Sequence, residues 1–406
     1  MKNHYSLIIA IGLLVSIESV SAQRAVTSTR NGQSCWVIKS GQVELAITKL
    51  GGHMAPVTFY RDSPSPIAPY YISPWQGETH DYPVPVLVPL RGDFFCMPFG
   101  GNGDAYKGEQ HPPHGETSGS LWNFTGVNQD GPVTTLSLEL NTKARAGKVT
   151  KRIHLLEGQN VVYTSHVIDG FKGKTSLGHH ATLAMPEKEG AFKISHSPIV
   201  FGMSNPTQFS NPANGEYQQL AIGQQFTSLS AVPSIFKNAP DVDCSRLPQK
   251  KGYADLLMIF PSDTGGKPAW LTAVREDEGW LWFSLKDPKV QTATVFWLEN
   301  HGRHTLPWYG RNNCVGMEDV TAFFADGLKP SAGNNLLAQM GIKTAHELDG
   351  SKPFVVNYIQ GVVKIPAGFK EVRNVEFAGG IVTFVSTTGH RVIAAVRHEF
   401  LKNGQF

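Results

Sequence analysis

Charge is scarce in this chain. Asp, Glu, Lys and Arg make up 17% of it and leave a formal net charge of +3. No run of Lys or Arg occurs, so the electrostatic footprint of a nucleic-acid binder is missing. Cysteine is scarcer still. The four, Cys35, Cys96, Cys244 and Cys314, include no Cys-x-x-Cys pair, which removes a zinc ribbon or a thioredoxin-like redox centre. There is no Gly-x-x-x-x-Gly-Lys-Ser/Thr loop to cradle phosphates and no Gly-x-Ser-x-Gly elbow to present a serine nucleophile. Tandem repeats and low-complexity linkers are absent, and beyond the N-terminus no apolar run is long enough to cross a bilayer.

The N-terminus itself is apolar from Leu7 to Ile17, follows Lys2, and leads to Ser19-Val20-Ser21-Ala22. That order reads as a signal peptide, 1–22, cleaved after Ala22, with a retained anchor as the other reading. It implies a periplasmic or secreted protein with no membrane attachment after cleavage. In such a compartment the four cysteines either pair, in one of three connectivities, or stay as buried thiols.

What the chain has in quantity is glycine, 41 residues, and proline, 26, the punctuation of many short strands. Apolar and polar residues alternate at 42–48 (QVELAIT), 133–140 (VTTLSLEL), 148–156, 160–168, 269–274, 280–285 and 292–298. That period predicts strands with one packed face each, and so a mostly β antiparallel sandwich. Helix signals are few: 334–340, stopped by Gly341, and a turn over 319–325. The proline-rich stretch 63–89 and the polar stretch 200–251 read as long loops, the first bordering a pocket. The strand-like residues from 353 to 406 are expected as a C-terminal β extension packed on a main domain of 23–352.

Chemistry-bearing side chains concentrate in three segments: 90–122, with RGDFFCMPFG and HPPHGET; 177–186, LGHHATLAMP; and 296–320, ending in CVGMEDV. His111, His114 and Glu116 could hold a metal, but two prolines separate the histidines and no helix sets their spacing, so no metal is assigned. Adjacent His179 and His180 in a strand point to opposite faces, so one of them enters any given pocket. A general acid/base pair needs only an imidazole able to donate and a carboxylate able to accept, on opposite sides of a bound ring. Glu318, after the apolar Cys314–Met317 run, suits the carboxylate role because desolvation raises its pKa. A glycosidase would need a second carboxylate, for which Glu116, Glu299 and Asp319 are available. Trp75, Trp122, Trp297 and Trp308 offer rings for sugar stacking or for core packing.

These segments, in order over residues 40–325, resemble the galactose mutarotase-like (aldose 1-epimerase) superfamily. The resemblance rests on Gly51-Gly52-His53, on Arg91 to Gly100, on His114-Gly115 with Trp122 seven residues on, on His180 in GHHATL and on Glu318 in CVGMED. It implies a super-sandwich fold and an isomerase that opens and recloses a sugar ring without a cofactor. It further implies Glu318 as base, His180 as acid, and His114 and Arg91 as hydroxyl-binding residues, with Trp122, Glu116 and His179 completing the candidate binding set. Glu116-Thr117-Ser118 replaces the arginine that the sugar-phosphate branch carries after its His-Gly, so the implied ligand is an unphosphorylated sugar or oligosaccharide, bound by a monomer or dimer. A non-catalytic carbohydrate-binding protein and a polysaccharide lyase or hydrolase are the alternatives.

Overall fold

The computed structural model describes Met1 and residues 26–406; the expected signal peptide lies outside the described residues. Eight strands form the sheet that carries the candidate site. They are β1 (Phe95–Cys96), β2 (Leu177–His179), β3 (Ala181–Ala184), β4 (Ile199–Ser204), β5 (Gln225–Phe226), β6 (Tyr253–Pro261), β7 (Ala293–Asn300) and β8 (Asn313–Thr321). Their order is β5-β4-β6-β7-β8-β2-β1, with β3 also paired to β8, and every pairing is antiparallel.

Period-two alternation divides this sheet into two faces. On β8, Val315 and Met317 join Leu257 and Ile259 of β6 and Phe296 and Leu298 of β7 on the inner face. They meet Leu136, Leu138, Ile153, Trp282 and Val362 from a nine-stranded antiparallel sheet packed behind. On the outer face Cys314 and Val320, Val295 and Trp297, and Leu256 and Met258 pack under a cover of loops that includes Trp75, Val86, Leu87 and Leu90. This is the antiparallel sandwich expected from the alternation, in the super-sandwich form that the resemblance implies.

The inner layer also holds buried polar clusters. Asp319, the inward neighbour of Glu318, takes Lys286 Nζ at 2.7 Å, Ser284 Oγ at 2.9 Å and the Tyr358 hydroxyl at 2.7 Å. Both charges are almost fully buried, and burial lowers the pKa of Lys286.

Two expectations change. The strand Phe354–Lys364, placed at the start of a C-terminal extension, lies inside the nine-stranded sheet between Trp280–Lys286 and Val161–Asp169. Its long buried stretch (Val356 to Val363) satisfies ladders on both edges, so it completes the main body. The appended part is the three-stranded sheet Val372–Ala378, Ile381–Ser386 and Arg391–Ala395 with the short helix Phe400–Asn403. It covers the back of the nine-stranded sheet through Val382, Phe384 and Phe400 against Tyr163, Leu281 and Phe283. The second change is at 319–325: β8 continues to Thr321, because its partner β7 supplies hydrogen bonds as far as Ala293↔Val320. The helix expected at 334–340 forms as Leu336–Gln339, capped by the Asn335 side chain accepting from the Ala338 N–H. All four cysteines are buried free thiols. No helix among the described residues is long and apolar enough to cross a membrane.

Candidate functional site

On the outer face of the eight-stranded sheet is a cavity of about 230 Å³. His114, His180 and Glu318 line it together with Phe94, Phe209, Trp297, Arg303 and Trp308, and aliphatic groups of the proline-rich loop, Val84, Val86, Leu87 and Leu90, close it. The loop expected to border a pocket therefore does so.

Glu318 arrives on β8, pointing outward because Asp319 points inward. Its side chain lies back over Gly316: a Cβ built on that glycine would stand 2.3 Å from Glu318 Oε1 and 3.1 Å from Trp297 Cβ. No larger residue leaves space for the carboxylate in this position. Gly316→Ala should therefore push Glu318 out of line and weaken any activity that depends on it. Comparing turnover with the thermal midpoint tests this, since an unaltered rate would show that the carboxylate tolerates the displacement.

His180 sits between β2 and β3, where its N–H donates to Phe94 O at 2.9 Å. The ring stacks on Phe94 at 4.4 Å between centroids, and His53 stacks on the far side of Phe94 at 4.0 Å. His53 is itself fixed, its Nε2–H donating to Ser118 O at 2.9 Å. The Gly51-Gly52-His53 turn thus supports the site from behind. His180 Nδ1 lies 3.1 Å from Thr182 Oγ1, and its Nε2 lies 3.2 Å from Glu318 Oε1. Burial pushes the Glu318 carboxyl well up. Burial, with the neighbouring His114 second, pushes the His180 imidazole well down. Both shifts favour the uncharged forms, a carboxylic acid beside a neutral imidazole, within the distance over which a proton transfers.

His114 has a left-handed backbone, φ 59°, and is followed by Gly115, where a Cβ would meet Met97 O at 1.9 Å. The turn carries the ring to 5.1 Å from His180, edge to face. Its Nδ1 lies 3.5 Å from Cys96 Sγ. Burial raises the Cys96 thiol well above its ordinary value, and the direction of the contact follows the tautomer of His114. Burial also lowers His114 to about 4.

The other expected site residues lie elsewhere. Arg91 is fully buried; it donates to Pro89 O at 3.1 Å, Arg30 O at 2.9 Å, Asn31 O at 2.8 Å and the Gln76 side chain. It ties the first hairpin to the loop with four of its five N–H groups, and it lies outside the cavity lining. Trp122 donates to Thr117 O at 3.0 Å under Lys151. Glu116 accepts from the N–H groups of Lys143 and Ala144, each at 2.9 Å. His179 points inward, as the alternation with His180 requires, its Nδ1 2.8 Å from Asp93 Oδ2. Of the metal trio considered from sequence, His111 is engaged by Glu109 at 3.0 Å. Among the described residues no group of three or more His, Cys, Asp or Glu side chains is placed to hold a metal ion. Of the four candidate carboxylates only Glu318 lines the cavity. Sequence reasoning passed over Arg303 and Phe209; the available signal was Arg303 standing between Glu299 and Trp308 in a segment already dense with polar and aromatic groups.

No protein-family model matches the chain, and no curated protein sequence matches it. Solved structures do. A galactose mutarotase related enzyme from Lactobacillus acidophilus superposes with a TM-score of 0.51 at 12% identity, over 81% of this chain and 97% of the other. A candidate aldose 1-epimerase from Klebsiella pneumoniae gives 0.56 at 12%, over 82% and 80%. A galactose mutarotase-like protein from Clostridium acetobutylicum gives 0.53 at 12%, over 85% and 99%. The chain has the galactose mutarotase-like fold. The expected super-sandwich is thereby matched in known proteins, and in this chain the outer-face cavity holds the histidine–glutamate pair.

Proposed function

We propose that the protein is an exported aldose 1-epimerase-like isomerase that interconverts the anomers of a single sugar ring. The observation that carries this reading is the contact of His180 Nε2 with Glu318 Oε1, 3.2 Å apart, at the wall of a cavity rich in aromatic rings. Mutarotation asks for one proton to leave the anomeric hydroxyl and one to reach the ring oxygen. Both oxygens are bonded to the same carbon, so base and acid belong side by side, closer than the ring-wide separation that opposite placement would require.

The proton count supports the same chemistry. Transfer across the contact gives a Glu318 carboxylate and a protonated His180. Glu318 then takes the anomeric proton, the bond from the anomeric carbon to the ring oxygen breaks, and His180 protonates that oxygen. The aldehyde turns about its bond to the next carbon and the steps reverse on its other face. No net proton is gained or lost, and no cofactor enters. At about 230 Å³ the cavity falls below the roughly 300–1,000 Å³ of drug-sized sites, which favours one ring over an oligosaccharide. A two-carboxylate hydrolysis has little support, since Glu116, Glu299 and Asp319 are absent from the cavity lining.

Freshly dissolved α-anomers of several hexoses and pentoses, followed by optical rotation, test the proposal. Wild-type protein should shorten the approach to equilibrium for at least one of them; a time course no faster than buffer for every sugar would end it.

A further inference from the structure

Arg303 is the only Lys or Arg among the residues lining the cavity. Its guanidinium lies over Phe209 at 4.8 Å and Trp308 at 5.7 Å, an aromatic clamp that holds the plane without using its N–H groups. The buried Nε has no hydrogen-bond partner among the described residues. The nearest carboxylate oxygen, Glu299 Oε2, is 3.7 Å away, beyond hydrogen-bond distance. Only Oε1 of Glu299 is committed to the backbone, accepting from the N–H groups of Gly302 and Arg303, each at 3.0 Å; Oε2 has no hydrogen-bond partner among the described residues. Glu216 is likewise turned to backbone, accepting from His304 N–H at 2.9 Å. Burial raises Glu299 to about 7, so near pH 7 it neutralises the guanidinium only in part. The rest of the wall is chiefly apolar and aromatic. A clamped, under-satisfied guanidinium in such a wall matches a planar oxyanion better than a neutral hydroxyl.

Resting on the reading that this site takes a sugar, we infer that its ligand is a monosaccharide bearing an anionic oxyacid group, a uronate carboxylate or a sulfate ester, which Arg303 binds. The neutral remainder of the ring stacks on the aromatic wall beside His180 and Glu318.

Calorimetric titration of the full chain with glucuronate, galacturonate, glucose 6-sulfate, glucose and galactose tests this and separates the two anion sources. At least one anionic sugar should bind tenfold or more tighter than its neutral parent. Arg303→Gln should lose roughly tenfold to a hundredfold for that ligand, removing the preference, and Arg303→Lys should lose less. The Lys variant, which keeps a cation beside Glu299, carries the test if the Gln variant does not fold. Equal binding of neutral parents by wild type, a preference that survives Arg303→Gln, or no binding of any of the five overturns the inference. Turnover of neutral sugars without an anionic preference sinks the inference and leaves the epimerase reading standing. Arg303-dependent binding with no change in optical rotation does the reverse.

Discussion

Glu318→Gln should lower catalysed mutarotation by roughly 10²–10⁴-fold, the contribution usual for one positioned proton-transfer group, while the sugar still binds. Gln fills the same volume over Gly316 and stays 2% exposed if the backbone is unchanged, but it has no proton to exchange. The wild-type rate should also be nearly flat around neutral pH. Burial lowers His180 and raises Glu318, so the one-proton form spans the interval between them. Below the His180 value a second proton removes the base, and above the Glu318 value loss of the shared proton removes the acid. Optical rotation for rate, calorimetry for binding and a pH series together check these statements. A Glu318→Gln protein as fast as wild type would dismiss the carboxylate as the proton acceptor.

The largest effect on stability is expected one residue further along β8. Lys286→Met should cost roughly 3–5 kcal/mol, because removing one member of a buried pair leaves the other charge uncompensated. Lys286 Nζ also donates to Ala293 O at 2.6 Å and Thr294 Oγ1 at 2.8 Å, and those acceptors lose their partner as well. Removing both charges in Lys286→Met/Asp319→Leu should recover part of the loss, since no lone ion then remains between the sheets. Urea unfolding at fixed pH, with midpoint and slope both recorded, measures the three proteins. A single variant within about 1 kcal/mol of wild type would mean that Asp319 is satisfied by Ser284, Thr294 and Tyr358 alone.

Alternation alone marked the strands 133–142, 147–156 and 161–169 close to their observed limits, although only the first keeps one face open and the other two are largely buried on both. It was equally informative for Glu318 against Asp319 and for His180 against His179: neighbours on a strand face opposite ways whatever the fold. Alternation does not say which face looks onto a pocket, and His179 stood as a rival for His180 until β2 and β3 were seen paired to β8. Arg91 shows the complementary failure. An arginine within a dense motif looks like a ligand-binding group, yet its donors are engaged by Pro89, Arg30, Asn31 and Gln76. Three of those partners are backbone carbonyls, which leave no trace in residue identity.

The sequence by itself determined the β architecture, because hydrophobic period is a local property, and its family resemblance nominated His180 and Glu318 as candidates. Tertiary structure alone decided that Phe354–Lys364 belongs in the middle of a sheet and that the four cysteines stay apart as thiols. It also decided that Arg303 rather than Arg91 faces the cavity, and that His180 and Glu318, 138 positions apart in the numbering, stand 3.2 Å from each other. Each of these depends on which distant segments share a hydrogen-bond ladder, and pairing across such separations is fixed by packing of the whole chain rather than by any one stretch of it.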